Sequence, residues 1–300
     1  MATRNESPHP NSTEAWTVVS RRRRRSVKQQ QPKRSVLPGP ETLIAPPSPW
    51  IPIDSFVDRE RRSKLLQRME SAIRRLECSS FYRRFLLRLR GHLVQHGLAR
   101  ALSSALEIRM VVYGVGSIES YDPSRLQLAL AILLRRDLGL AVPSLEVFDP
   151  ILSATECAVM TALNCAVVPV DERGRREVRA PTLFYMPHCE AALYDGLLEA
   201  NWRPSSLNRM VVLGNSFSAY EQFVELGCCS GSASVEAAVR HLLLVRRHVT
   251  EVEMEEEEEE EETGSQGKQD DEDGIFKAFH DTSWHFFDLD DDKPMDLVKR

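Results

Sequence analysis

The sequence predicts an α/β fold, a doubly wound and mostly parallel sheet with helices on both faces. Three observations lead there. From Leu106 onward short apolar runs alternate with amphipathic stretches. The runs are rich in Val, Leu and aromatic residues without polar alternation, as strands covered on both faces must be. Capping residues bracket the stretches between them, the pattern of strand-helix crossovers. With 300 residues, 42% of them hydrophobic, the chain supports one sizeable core.

Residues 1–52 carry Arg, Ser, Gln and Pro without an apolar period, so they are expected to form a disordered basic tail. Within it, Arg21, Arg22, Arg23, Arg24 and Arg25, then Lys28, Lys33 and Arg34, are spaced like a bipartite nuclear import signal. A solvated basic tail without a receptor is the alternative. Two N-terminal amphipathic helices follow, one through Leu65, Leu66, Met69, Ile73 and Leu76, the other from Ser79 or Ser80 through Tyr82, Phe85, Leu86, Leu89 and Leu93 to about Gly97. Their outer stripe of Arg74, Arg75, Arg83, Arg84, Arg88 and Arg90 reads as a solvated face before it reads as a dock for an acidic partner or RNA.

Residues 108–113 form the first expected strand, followed by a helix with Asp122 as cap, Pro123 in its first turn and Gly139 closing it. Residues 145–148 make the second strand, and Ser153 with Glu156 forms a capping box for the helix containing Val159 and Leu163. Further strands are expected at 166–170, 182–185 and 210–213. The helices around them run near 188–200, from Ser218 with Glu221 as a second capping box, and over 235–248. Residues 250–274, with eight consecutive glutamates at 255–262, are expected to be a disordered acidic insertion. Phe276, Phe279, Trp284, Phe286 and Phe287 then return as a final strand at the sheet edge. The folded domain is thus expected over 53–249 and 275–288, with residues 289–300 frayed.

Residues 1–40 have a net charge of +7 and residues 250–274 a net charge of -13, which leaves the rest of the -5 chain at +1. A nearly neutral core makes direct nucleic-acid binding unlikely and places any electrostatic function in the charged segments. Cys78, Cys157, Cys165, Cys189, Cys228 and Cys229 form no CxxC pair and no secretory signal precedes them, so reduced thiols inside the cell are expected. No apolar run is long enough for a transmembrane helix.

The polar and glycine clusters fall just after expected strands: Gly114, Gly116 and Ser117; Asp149; His188 and Cys189; Asn215 and Ser216. In a parallel sheet those loops share one edge, where such folds hold ligands. Each also has a plainer reading. Gly114-Val115-Gly116 opens like a phosphate turn, but Glu119 stands where the dinucleotide fingerprint needs glycine. Asp149 suits a ribose-binding acid or simply ends a strand. His188 and Cys189 at a helix start would give a reactive thiol or only begin that helix. On the last segment His280 is joined by Asp281, Ser283 and His285, which alternation aims one way. A metal held by His188, Cys189 and His280 or His285 needs a convergence the sequence does not encode, and no metal site is assigned. No cofactor is identified.

At these loops the chain resembles the SENSITIVITY TO RED LIGHT REDUCED family. The matching stretches are Tyr113-Gly114-Val115-Gly116-Ser117 with Gln127, Phe148-Asp149-Pro150, Leu183-Phe184-Tyr185-Met186-Pro187-His188-Cys189, Leu213-Gly214-Asn215-Ser216-Phe217, and Phe279-His280-Asp281-Thr282-Ser283. The resemblance implies a regulatory protein of circadian clock input and of phytochrome B-dependent and independent light responses, in nucleus and cytoplasm, with unidentified protein partners. Fungal and animal relatives imply a link to the regulation of haem biosynthesis. It transfers no catalytic residue, so the loop residues are candidates by position. An enzyme holding a nucleotide, S-adenosylmethionine or a tetrapyrrole precursor at the sheet edge is the alternative reading.

Overall fold

Alternation along each strand sets the architecture. In β2 (Arg109–Tyr113), Met110 and Val112 join one buried cluster while Val111 and Tyr113 join another. The same division runs through β6 (Thr182–Met186) and β7 (Met210–Asn215), where Leu183 and Val211 face the first cluster and Phe184 and Val212 the second. A sheet apolar on both faces has to be covered on both. The result is a three-layer sandwich.

The computed structural model describes residues 47–103, 105–139, 142–225, 239–254, 266–291 and 295. They all belong to the compact unit Pro46–Arg300, one of the chain's two units. The basic clusters from Arg21 to Arg34, Cys228 and Cys229, and the glutamate run lie outside the described residues.

The first face is covered by α1 (Arg59–Glu77), α2 (Ser80–Arg90), α3 (His92–Leu102), α4 (Asp122–Leu138), α5 (Ala154–Ala162) and α10 (Gln266–Phe279). The second is covered by α6 (Ala191–Ala200), α7 (Pro204–Leu207), α8 (Phe217–Glu225) and α9 (Arg240–Val245). With β3 (Leu145–Phe148), β4 (Ala166–Val167), β8 (Val249–Glu253) and β9 (Thr282–Phe287), the seven-stranded sheet has the order β4-β3-β2-β6-β7-β9-β8. Strands β4, β3, β2, β6 and β7 are parallel, and β9 runs antiparallel to both neighbours. The winding direction reverses between β2 and β6, which makes that gap the topological switch point.

Several expectations are corrected. The tail does not run to residue 52: β1 (Ser48–Pro49) pairs antiparallel with β5 (Val170–Asp171) in a separate two-stranded sheet. Residues 166–170 are not one strand, because Pro169 offers no N–H to continue the ladder. Three helices, not two, precede β2. The second stops at Gly91, and Gly97 lies inside α3, where a Cβ would come within 2.4 Å of the Phe286 ring. Gly97 is there for close packing rather than chain reversal. Asp122 sits in the first turn of α4 without capping it; its carboxylate engages Arg75 and, at 3.1 Å, Arg125. The capping box of Ser153 and Glu156 is present as expected. For α8 the cap is Ser216, whose Oγ accepts the Ala219 N–H at 3.1 Å, rather than Ser218, and Glu221 lies 3.5 Å from Arg246. Within 235–248 the helix spans Arg240–Val245 and passes into a 3-10 turn, Arg246–His248.

The acidic stretch is not wholly an insertion. Residues 249–253 form edge strand β8, and α10 begins at Gln266. Glu272 accepts hydrogen bonds from the Ser80 N–H at 3.0 Å and the Ser80 hydroxyl at 2.6 Å, while Ile275 and Phe279 are buried. The last segment is therefore helix then strand, and β9 lies inside the sheet rather than at its edge.

Candidate functional site

Register places the candidate loops on one rim. Tyr113 is level with Phe148, Met186 with Gly214, and Asn215 with Thr282 at the start of the antiparallel β9. The loop residues fall into two groups along that rim, joined by Cys189.

The first group surrounds Gly114, Gly116, Ser117 and Asp149. Gly114 and Gly116 have φ of +75° and +74°, backbone that a side chain would strain. The Gly116 N–H, which would face a phosphate in a nucleotide turn, donates to Asp149 Oδ2 at 2.7 Å, and Asp149 Oδ1 accepts the Ile151 N–H at 3.0 Å. Asp149 thus ends its strand and pins the glycine loop. The Ser117 hydroxyl donates to Glu156 Oε1 at 2.7 Å, and the same oxygen accepts the Glu119 N–H at 3.1 Å. Glu119 turns outward to Arg61. These polar groups hold one another.

The second group is organised by Asn215. Its Oδ1 accepts the His188 N–H at 2.8 Å, and its Nδ2 donates to Cys189 O at 3.3 Å and to the Tyr220 hydroxyl at 2.9 Å. Tyr194 donates to Met186 O and accepts the Asn215 N–H at 2.8 Å. His188 has φ +51°, a left-handed residue that prevents helix at this point, so α6 starts only at Ala191. The expected thiol at a helix N-terminus is therefore absent. Cys189 is buried, its Sγ directed at Tyr113 O at 3.4 Å, and burial pushes its pKa well up instead of down. His188 Nε2 lies 3.3 Å from His280 O, with the two rings 4.5 Å apart. Partial burial and, secondarily, the second imidazole lower the His188 pKa. Among the described residues no metal-holding group of three such side chains assembles.

Ser283 and His285 do share a face of β9, but at different depths. Ser283 reaches a rim hollow also lined by Ser216 and Asp281, whereas His285 is fully buried and stacked on Phe217 at 3.9 Å. His285 Nδ1 lies 3.2 Å from Val212 O, so that nitrogen carries a proton. Nε2 faces both the Phe217 N–H at 3.3 Å and Glu251 Oε1 at 3.6 Å. Only the first is within hydrogen-bond range. Burial alone would raise the Glu251 pKa, but the His285 ring in its cationic, Nε2-protonated form, together with the Ser216 hydroxyl and Arg246, holds it at about 2. A carboxyl depressed from 4.5 to about 2 stabilises the fold fully above the higher value and loses that contribution as pH falls toward the lower. Glu251→Gln is accordingly expected to cost roughly 1–3 kcal/mol at neutral pH. In urea melts repeated at decreasing pH the gap to wild type should close as the pH approaches 2. A gap of constant size would show that the charge is not its source.

Tyr194, Tyr220 and Glu251 complete this site, and sequence reasoning did not single them out. Tyr194 and Tyr220 follow an ordinary helical pattern, and Glu251 reads as part of an acidic stretch.

The SRR1 domain profile matches residues 89–286. Protein SENSITIVITY TO RED LIGHT REDUCED 1 of Arabidopsis thaliana is 41% identical over 249 residues, which cover 83% of this chain and 84% of that protein. An SRR1-like protein of Mus musculus is 40% identical over 121 residues, 40% of this chain and 49% of its own. An SRR1-like protein of Drosophila melanogaster is 33% identical over 70 residues, 23% of this chain and 25% of its own. The profile takes in β2 through nearly all of β9, and with it every rim loop described above. This chain belongs to the SRR1 domain family.

Proposed function

We propose that this chain is a regulator in red-light signalling and circadian clock input, and that it works as a binding module rather than by turnover. The observation that carries the reading is 41% identity across 83% of the chain to a protein named for reduced sensitivity to red light. The rim supports binding over catalysis. Asp149, Ser117, Cys189 and Asn215 are all engaged with neighbouring backbone or side chains, which makes a rigid surface and leaves Cys189 a poor nucleophile. In finer terms the module acts in both phytochrome B-dependent and independent responses and affects clock gene expression. It acts in nucleus and cytoplasm with protein partners of unassigned identity, and the wider family extends the role to regulation of haem biosynthesis. No helix among the described residues is long and apolar enough to cross a membrane.

The test is complementation. In a plant lacking its SRR1-domain protein, this chain should restore red-light inhibition of seedling elongation and the period of clock-gene oscillation. Failure to restore either would overturn the reading. In the same plants, replacing Arg21, Arg22, Arg23, Arg24 and Arg25 with Ala should deplete the nuclear pool; an unchanged pool would remove those residues from the import role.

One observation favours a second reading, a transferase-like enzyme. The switch point between β2 and β6 is where doubly wound sheets hold nucleotides or S-adenosylmethionine. Such a ligand would take the Gly116 N–H from Asp149 and offer its ribose hydroxyls to the released carboxylate. A melting temperature raised by S-adenosylmethionine and insensitive to it in Asp149→Ala would favour the enzyme.

A further inference from the structure

Away from the switch point, the rim opens into a hollow of about 270 Å³ at the ends of β7 and β8 and the start of β9. Its walls combine Ser216 and Ser218 from the start of α8, Glu253 from the end of β8, Asp281 and Ser283 from the turn into β9, and Phe279 from the end of α10. Three features narrow what belongs there. Two carboxylates, Asp281 and Glu253, line it with no lysine or arginine among the lining residues. Among the described residues nearby, Arg246 is turned to Glu221 at 3.5 Å and Glu251 at 3.6 Å. Ser283 is only 1% exposed, yet its hydroxyl makes no hydrogen bond with any described residue although it borders the hollow. Lining the hollow, that hydroxyl can take a hydrogen bond from what enters it. Behind Ser218, whose N–H donates to Glu251 Oε2 at 3.1 Å, the Glu251 side chain is 7% exposed and lies 3.6 Å from Arg246.

We propose that this hollow binds a small molecule bearing a protonated amine and hydroxyl groups. Asp281 and Glu253 supply the counter-charges, Ser283 the hydrogen bond, and Phe279 an apolar wall. Phosphates and carboxylates would meet two like charges and are rejected on that ground. The space corresponds to roughly nine water-sized groups at about 30 Å³ each, enough for an amino sugar or a short amino alcohol. Burial pushes the Asp281 carboxyl up, and the Glu251 carboxylate adds to this. A bound ammonium would offset both effects.

The inference rests on the binding-module reading and names the ligand class for one part of its rim. Its test is calorimetric titration of the full chain with glucosamine, glucose and glucuronate, sugars of similar size that differ in charge. Glucosamine should bind at least about tenfold tighter than either of the others, the size of one charge-assisted contact. The preference should vanish in Asp281→Asn combined with Glu253→Gln, and binding should weaken severalfold in Ser283→Ala. Equal affinity for glucosamine and glucose would overturn the amine assignment. So would undiminished glucosamine binding in the double variant, which would assign the contact to other acids such as those at 255–262. Glucose or glucuronate held preferentially, with loss in Ser283→Ala, would defeat the amine class while leaving a ligand-holding module. No heat with any of the three would remove this hollow as their site without touching the light-signalling role, which complementation tests separately.

Discussion

Trp284→Ala is expected to destabilise the domain by about 3–5 kcal/mol, a large share of the roughly 5–15 kcal/mol that holds a domain together. The indole sits in the interior strand β9 with no exposure, stacked near Phe85 of α2 at 6.2 Å and Phe286 at 6.1 Å. Phe81, in turn, stacks on Phe279 of α10 at 4.4 Å. Removing the ring would open a cavity where the N-terminal helices, α10 and the sheet meet, and interiors at crystal-like density close such cavities only in part. A contrast sharpens the prediction. Trp284 Nε1 is buried without a hydrogen-bond partner among the described residues, so Trp284→Phe removes no hydrogen bond there and should cost less than about 1.5 kcal/mol. Urea unfolding of both variants decides it. A loss below 1 kcal/mol in the alanine variant, well under the usual aromatic-to-alanine cost, would mean that β9 docks only peripherally.

Gly114→Val should cost a comparable amount, about 2–6 kcal/mol, from two separable sources. One is backbone: φ of +75° suits glycine, and a β-branched residue there is strained by about 1–3 kcal/mol. The other is steric, because a Cβ at this position would stand 2.5 Å from Cys189 Sγ, and overpacking costs about 1–3 kcal/mol. Adding Cys189→Gly should therefore relieve the steric part measured against the Cys189→Gly background and leave the backbone part. That gives a positive coupling in a double-mutant cycle followed by chemical denaturation. Additive losses would show that the Cys189 thiol is free to move aside. Because Cys189 also ties the glycine loop to Asn215, Gly114→Val is expected to disturb both groups of rim residues at once.

Much of this molecule is legible in local chemistry. Residues 145–148 coincide with β3, and the expected strands at 108–113, 182–185 and 210–213 differ from β2, β6 and β7 by one or two residues at an end. The box of Ser153 and Glu156 forms, and Gly139 with φ +64° closes α4. Short-range features of this kind are decided by neighbours a few residues away, and the sequence displays those neighbours directly. The common rim for the loops after β2, β3, β6 and β7 also follows, because parallel strands with crossover helices leave every following loop on the same edge; residues 280–283 reach it because β9 runs antiparallel, and His285, expected with them, is buried below it.

Other features depended on contacts between distant parts of the chain. Gly97 looks like a helix stop, yet the close approach of Phe286 makes it a packing glycine inside α3. The acids at 270–273 look like solvated chain, yet Glu272 is held by Ser80 and α10 is fixed by burying Ile275, Ala278 and Phe279. His188 and Cys189 look like the start of a helix, but hydrogen bonding of the His188 N–H to Asn215 turns the backbone left-handed and buries the thiol. The sequence by itself determined the strands, most caps and the edge on which the polar loops gather, since periodicity and capping act within a few residues. Tertiary structure alone decided the interior place of β9, the satisfied state of Asp149 and Asn215, and the hollow between β8 and β9. Each of those depends on which distant surface a segment is packed against.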